Sequence, residues 1–422
     1  MPKQGTLSEL RQLGPRYWQL WTGTSLSAAG DGLVAVGLPL LALSLTTSPL
    51  LIGGLMVVQN LAASAGSLPA GVWADRYDKQ KLAVLIELAR MCLFAITALL
   101  VTTGTVTIAA LYGLALLAGI ATGAYNITVT SATPQLVQPD RRNTANGFLA
   151  LADNSSNQFV GQAIGGAAYS LARAIPFLAD SVSFVFSALF SALALRGTPA
   201  PAQPAAQQPR FGQQLADGLR FFAGHRVLRT VAGSIAILAF AQAAATWLLV
   251  IYATRYLHLS HTGFGLFMAA AAAGNILGSL AVGAAGRRLK PGTILLAAAT
   301  VCGAGYGLMA AVPHLVPAVL GLWAEAVAVP VGSISMLTLR QNIVPSHMLG
   351  RINMSYRTCI YGAAALGGVT GSVIATALGV RASMAVAAGL IALLVLVVLT
   401  PLTRQLNTYG TPVPAPEPST AR

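Results

Sequence analysis

Charge is scarce in this sequence. Only 9% of its 422 residues are Asp, Glu, Lys or Arg, against about 25% in a soluble globular protein. A chain so poor in polar side chains cannot coat a water-facing surface, which excludes an ordinary soluble globule. Acids are the scarcest: 11, against 25 basic residues, for a formal net charge of +14. Cysteine is nearly absent. Cys92, Cys302 and Cys359 all lie in apolar runs without a CxxC pair, so no disulfide framework is expected. Catalytic signatures are missing too. There is no HExxH, no GxSxG and no GxxxxGKS/T, which argues against an enzyme, and the missing phosphate loop against an ATP-driven pump. No cofactor and no metal site are expected. The opening MPKQGTLSELRQLGPRYWQLW has no short apolar core followed by a small-residue cleavage site, so no cleaved signal peptide is expected.

What fills the chain is apolar. It is 55% hydrophobic, in long runs without strand alternation, and runs of roughly 20 such residues read as membrane-spanning helices. Twelve candidate spans fall at about 17–45, 49–74, 80–102, 106–133, 145–170, 175–196, 228–255, 261–285, 291–312, 315–338, 350–378 and 382–402. The expected fold class is an all-α membrane protein of twelve transmembrane helices. The expected division is a first six-helix bundle over 1–196, a linker over 197–227, a second bundle over 228–403 and a disordered tail over 404–422. The linker opens with TPAPAQPAAQQP, which cannot pack a core. Phe211, Leu215, Leu219 and Phe222 then recur at helical spacing, which predicts an amphipathic helix on the membrane surface.

The basic residues alternate from loop to loop. With the N-terminus inside, all of the 25 except Arg90, Arg173, Arg255 and Arg381 fall on the inner side. This asymmetry places both termini in the cytoplasm, and it accounts for the positive charge without a nucleic-acid partner. The halves also repeat. GSLPAGVWADRYDK from Gly66 aligns with GSLAVGAAGRRLK from Gly278, a separation of 212. Gln135 and Pro139 match Gln341 and Pro345, and Gly161 and Gly165 match Gly367 and Gly371, each pair 206 apart. Two parallel six-helix repeats are the architecture of one large transporter class, with its substrate site at the repeat interface.

Five charged residues crowd the stretch GVWADRYDKQK, residues 71–81, between long uncharged runs. The stretch resembles the GxxxDRxGRKK loop between helices 2 and 3 of the major facilitator superfamily. Gly71, Asp75 and Arg76 match directly, and Lys79 and Lys81 match in charge. Asp78 replaces the second glycine and Gln80 a base. GQAIGG at 161–166 is similar to the GPxxGG element of drug:proton antiporters, with Gln162 in the proline position. LVQPDRRNTANG, ADGLRFFAGHRVLR and QNIVPSHMLGRIN look like the branch of enterobactin exporters and macrolide-efflux proteins. This resemblance covers essentially the whole chain. It implies alternating access by a monomer in the plasma or inner membrane, with the loop acting as a cytoplasmic latch on the outward-open state. It also implies proton-coupled export of an amphipathic small molecule, a drug or siderophore-like metabolite. The arginine that many such antiporters carry in helix 4 is missing from span 106–133. Import of a nutrient, or a non-transporting receptor or assembly protein with the same fold, stays open.

Ionisable groups at membrane depth are expensive and mark function by default. Asp31 lies about 14 residues into span 1, near mid-bilayer, with Thr24 and Ser27 on its face. Asp153 lies deep in span 5 and Glu325 about mid-depth in span 10. By the resemblance, spans 1, 4, 7 and 10 line the cavity, so Asp31 and Glu325 should face it. A carboxyl group in an apolar cavity can titrate near neutral pH, and it could then exchange a proton for substrate. Asp180 reads as structural. Glu87 and Arg90, one turn apart, are expected to pair with each other or with the latch. Gly161, Gly165, Gly166, Gly367 and Gly371 read as close-packing positions. Gln59, Asn60, Tyr125, Asn126, Gln242, Trp247 and Trp323 are candidate pocket residues.

Overall fold

The computed structural model describes residues 13–138, 141–142, 145, 148–149, 156–157, 160–197, 220, 224–344 and 349–407. All regular structure among them is helical. In chain order the first half holds α1 (Pro15–Leu45), α2 (Pro49–Arg76), α3 (Lys79–Thr102), α4 (Ile108–Leu136), α5 (Gln162–Leu171) and α6 (Ile175–Ala194). The second holds α7 (Arg226–Thr246), α8 (His261–Arg288), α9 (Pro291–Ala311), α10 (Leu315–Ile343), α11 (Leu349–Leu378) and α12 (Val380–Leu394). Among the described residues, 11 helices are long and apolar enough to cross a membrane. The remaining one, α5, lies within the expected fifth span. The amphipathic segment at 211–222, Asp153 and the tail beyond 407 fall outside the described residues, Arg220 excepted.

Local chemistry sets where these helices begin. Pro15, Pro49 and Pro291 each open a helix, where the missing N–H costs nothing. Asp78, Thr107 and Ser260 cap α3, α4 and α8 through side-chain oxygens. Pro39, Pro69, Pro134 and Pro330 lie inside helices that continue past them, because a lipid-embedded backbone has no water to satisfy an alternative. Leu85, Ile96 and Leu99 of α3 stand exposed, facing what in a membrane is hydrocarbon.

Span 7 departs from the expected single helix. It breaks after Thr246, passes through Trp247 and Leu248, resumes at Leu249–Ile251 and ends in a wide π turn at Tyr252–Tyr256. The Trp247 ring presses on Gly368 of α11 at the break. α12 likewise continues as a π turn, Val395–Leu399, and a last helical segment to Leu406. Arg381, one of the four basic residues off the inner side, has a structural role. Its Nε and Nη2 donate to the carbonyls of Ala310 and Ala311 at 2.8 and 3.2 Å, closing the C-terminus of α9.

The two halves use the same pairings. α2 lies along α4 as α8 lies along α10; α3 along α6 as α9 along α12; α1 along α5 as α7 along α11. Glycine permits the closest of these. A Cβ at Gly161 would strike Ala29 and Gly32 of α1, and one at Gly165 would meet Leu33. In the second half a Cβ at Gly367 or Gly371 would strike Phe240 or Ala244 of α7. Such backbone-to-backbone approach is the usual device of helix association in lipid.

The contacts between halves are also related by the repeat: α5 on α8 and α2 on α11. They gather at the helix ends far from the chain termini. Gly166 meets His261 and Gly265, Gly53 meets Ser372 and Leu248, and the Tyr169 and His261 rings stand edge to face at 5.1 Å. The Ser170 and Thr262 hydroxyls hydrogen-bond at 3.1 Å. A Ser170→Cys/Thr262→Cys pair, with the three native cysteines replaced by serine, should therefore oxidise readily in membranes. A mobility shift after proteolytic cleavage of the linker reads the cross-link; its absence would mean the halves do not meet there.

Candidate functional site

Asp31 is not alone on its helix face. Both of its carboxylate oxygens accept from Nη2 of Arg90 on α3, at 2.6 and 2.7 Å. Nη1 of Arg90 donates to Glu87 Oε2 and to Ser27 Oγ, each at 3.2 Å. The guanidinium lies 4.0 Å over the Phe184 ring of α6 and 5.8 Å from the Tyr125 ring of α4. Ser187 donates to Glu87 Oε1 and shares a hydrogen bond with the Tyr125 hydroxyl at 3.0 Å. Asp180 completes the cluster. It is fully buried, its Oδ1 accepts from Ser183 at 3.0 Å, and its Oδ2 is buried without a hydrogen-bond partner among the described residues. Gly30 makes room for it, since a Cβ there would collide with Asp180. Two carboxyl groups, those of Asp31 and Glu87, thus converge on one guanidinium near the middle of the first half, and the third, Asp180, is buried close by against Gly30. Arg90 and Glu87 are sealed in, with side chains 1% and 0% exposed, whereas Asp31 is 26% exposed and is the cluster's open side.

Glu325 on α10 is the deep acid of the second half, and it too is held by neighbours. Its Oε1 accepts from Gln242 Nε2 of α7 and from the Tyr306 hydroxyl of α9, the latter at 3.1 Å. Glu325 lines a polar cavity of about 170 Å³ between the halves, into which Gln242, Thr246, Asn275 and Gln162 also face. Gln162 comes from α5, so both repeats contribute. A second cavity of about 390 Å³ lies wholly within the second half, and Gln242 borders it as well. Trp247 packs on Gly368 and Trp323 on Gly274; neither borders these cavities.

The loop at 71–81 is built to fix the start of α3. Asp78 accepts from the backbone N–H groups of Gln80 and Lys81 at 2.8 and 3.4 Å, so the residue in the glycine position is a helix cap. Lys79 Nζ donates to the Ser131 carbonyl of α4 at 2.8 Å, and Gln80 to the Ala192 carbonyl of α6 at 2.9 Å. Gly71, Asp75 and Arg76 lie in the last turns of α2, whose backbone alone is described there.

Two six-helix repeats, with polar groups from both at their interface, define a secondary transporter. The chain belongs to the Major Facilitator Superfamily, whose family model matches residues 20–368. It is a multi-pass membrane transporter, of a family whose members are transporters rather than enzymes. Among curated relatives, it is 26% identical over 368 residues to the "Enterobactin exporter EntS" of Shigella boydii serotype 4 (strain Sb227), covering 84% of each chain. To the exporter of the same name in Citrobacter koseri it is 24% identical over 351 residues, 80% of each chain. Among solved structures it resembles a bacterial homologue of the iron transporter ferroportin in the inward-facing state, at TM-score 0.73 and 16% identity, covering 95% of this chain and 100% of that one. The nucleoside transporter NupG matches at TM-score 0.69 and 14% identity, covering 92% and 99%.

Sequence reasoning found Asp31 and Glu325 but not their partners. Glu87 and Arg90 pair with each other as expected; among the described contacts, the further partner is Asp31 rather than the latch. Asp180, read as structural, belongs to the same cluster. The available signal was an acid and a base one turn apart inside an uncharged span, which demands company at that depth. Gln162 was visible only as a departure from proline, and Tyr306 not at all. The cluster makes a stability prediction. Arg90→Met leaves Asp31, Glu87 and Asp180 without a counter-ion and should destabilise the protein by about 3–5 kcal/mol, read as a lowered Tm in detergent. Unchanged stability would mean the carboxyl groups do not depend on Arg90.

Proposed function

We propose that this transporter exports an amphipathic small molecule across the plasma or inner membrane in exchange for protons, by alternating access. The observation that carries the reading is the cluster around Arg90. One guanidinium can balance one carboxylate; two are paired to it, and a third, Asp180, is buried close by. Full ionisation would leave excess negative charge at membrane depth, and bound protons relieve it. Asp31 is the least buried of the three, so it is the group through which protons would enter and leave, with Glu87 and Asp180 behind it. Glu325 is the acid that meets the substrate cavity, and Asp153 is a further candidate for the same path. Export is the direction that the curated relatives' name supports.

In this reading both termini lie in the cytoplasm, the bundles are 1–196 and 228–403, and one chain suffices for transport because both halves of the site are in it. The halves meet at the terminus-distal ends, which corresponds to a cavity facing the cytoplasm. The loop of Gly71, Asp75, Arg76, Lys79 and Lys81 then waits on the open side, and it latches to the second half when that side closes. Gly161, Gly165, Gly367 and Gly371 let α5 and α11 shift against α1 and α7 in the same step.

The test is accumulation of a panel of fluorescent amphipathic dyes in efflux-deficient cells expressing the chain. Wild-type cells should hold several-fold less of at least one dye. A protonophore, Asp31→Asn and Glu325→Gln should each erase the difference, with membrane levels of protein unchanged. Export that survives both the protonophore and Asp31→Asn would remove proton coupling. No response from any dye would remove the export reading.

A further inference from the structure

The two repeats differ most where they should be alike. At the 212-residue separation that relates Gly66 to Gly278, Glu87 and Arg90 of α3 correspond to Ala299 and Cys302 of α9. The first half fills that position with its charge cluster. The second half leaves it open, and the result is the cavity of about 390 Å³, bordered by both Ala299 and Cys302. Its walls are apolar, with Leu238 of α7, Leu295 of α9 and Leu337 of α10 among them. The volume lies within the range of about 300–1,000 Å³ typical of small-molecule pockets.

The pocket is polar at its two ends. At one end are Gln242 and Tyr306, which hold Glu325. At the other is Arg340, in the last turn of α10. Arg340 is only 7% exposed, and its Nε is buried without a hydrogen-bond partner among the described residues. Its guanidinium lies 3.7 Å over the Tyr356 ring of α11. Between residues 226 and 403 the sequence contains a single acid, Glu325. That acid sits fifteen residues back on the same helix, roughly 22 Å along the axis. The second half therefore buries a cation at the mouth of an apolar pocket and offers no carboxylate to balance it. A buried charge left in that state is strongly unfavourable.

We propose that this pocket receives the apolar, ring-bearing body of an amphipathic organic anion, with the acid group paired to Arg340. This deepens the export reading and rests on it in one respect, that the anion is a transported solute rather than a membrane lipid. The guanidinium supplies the fork geometry suited to a carboxylate or sulfonate. Tyr356 holds its plane in place, and the absence of side chains beyond Cβ at Ala299 leaves the depth for rings.

Two probes that share their rings and differ in one charge test this: anilinonaphthalene sulfonate and neutral phenylnaphthylamine. Binding is measured by fluorescence on the full chain in phosphatidylcholine nanodiscs, with empty discs subtracted. Arg340→Gln should weaken the sulfonate at least about tenfold, the worth of a charge-assisted hydrogen bond, and leave phenylnaphthylamine unchanged. Arg340→Lys should recover part of the loss. Ala299→Phe, which fills the pocket from the far side, should weaken both probes. Sulfonate affinity indifferent to Arg340→Gln, or to Ala299→Phe, would overturn the proposal. So would stoichiometric displacement of the sulfonate by phosphatidylglycerol in the disc, since the pocket would then be a lipid site. Binding is read at equilibrium without a gradient. Intact binding with no export in cells therefore sinks the export reading alone, and export with binding indifferent to Arg340 sinks the pocket alone.

Discussion

A guanidinium at the middle of a membrane span has to be met by acid groups, and Arg90 is met by Asp31 and Glu87, with Asp180 buried close by. That constraint organises the first half. α1 must bring Asp31, α3 must bring Glu87 one turn before Arg90, and α6 must bring Asp180 close past Gly30. The aromatic rings of Phe184 and Tyr125 then close over the charge. Excluding water strengthens every interaction inside the cluster and raises the penalty for any member left unpaired. A network of this kind is worth little as net stability against an apolar core.

The repeats share a scaffold and divide the chemistry. Glycine contacts set α5 on α1 and α11 on α7 in the same way. The interiors of the two halves differ. One holds most of the membrane-embedded acid; the other holds a single glutamate, an apolar pocket and a buried arginine. The central space is thus flanked by walls of opposite character.

Much of this was legible in the sequence. Long apolar runs, basic inner loops and the two aligned glycine-rich stretches gave the fold class, and depth within a span singled out Asp31 and Glu325. What could not be read was who meets whom. Helical period shows that Ser27 shares a face with Asp31, but not that the neighbour across that face is Arg90, 59 positions on. Such pairings depend on which helices lie side by side, and that is decided by close approach at small residues such as Gly30 and Gly32. The break in α7 was equally hidden, because Trp247 and Leu248 are as apolar as the helix around them. Asp78 is the instructive local case. Against the family pattern it was a lost glycine, yet physically it is a good N-cap.

The contact between the halves at the terminus-distal end includes one place, Gly166 on Gly265, that is made of main chain. Where Gly166 lies against Gly265 there are no side chains to be frozen when the halves close. Burying a long side chain forfeits up to about 2 kcal/mol of rotamer freedom, and glycine forfeits none. Nor are there interlocked branches to be pulled apart when the halves separate. A joint of this construction costs little side-chain entropy to form. It is also unforgiving: even a methyl group at Gly166 would prop the two halves apart.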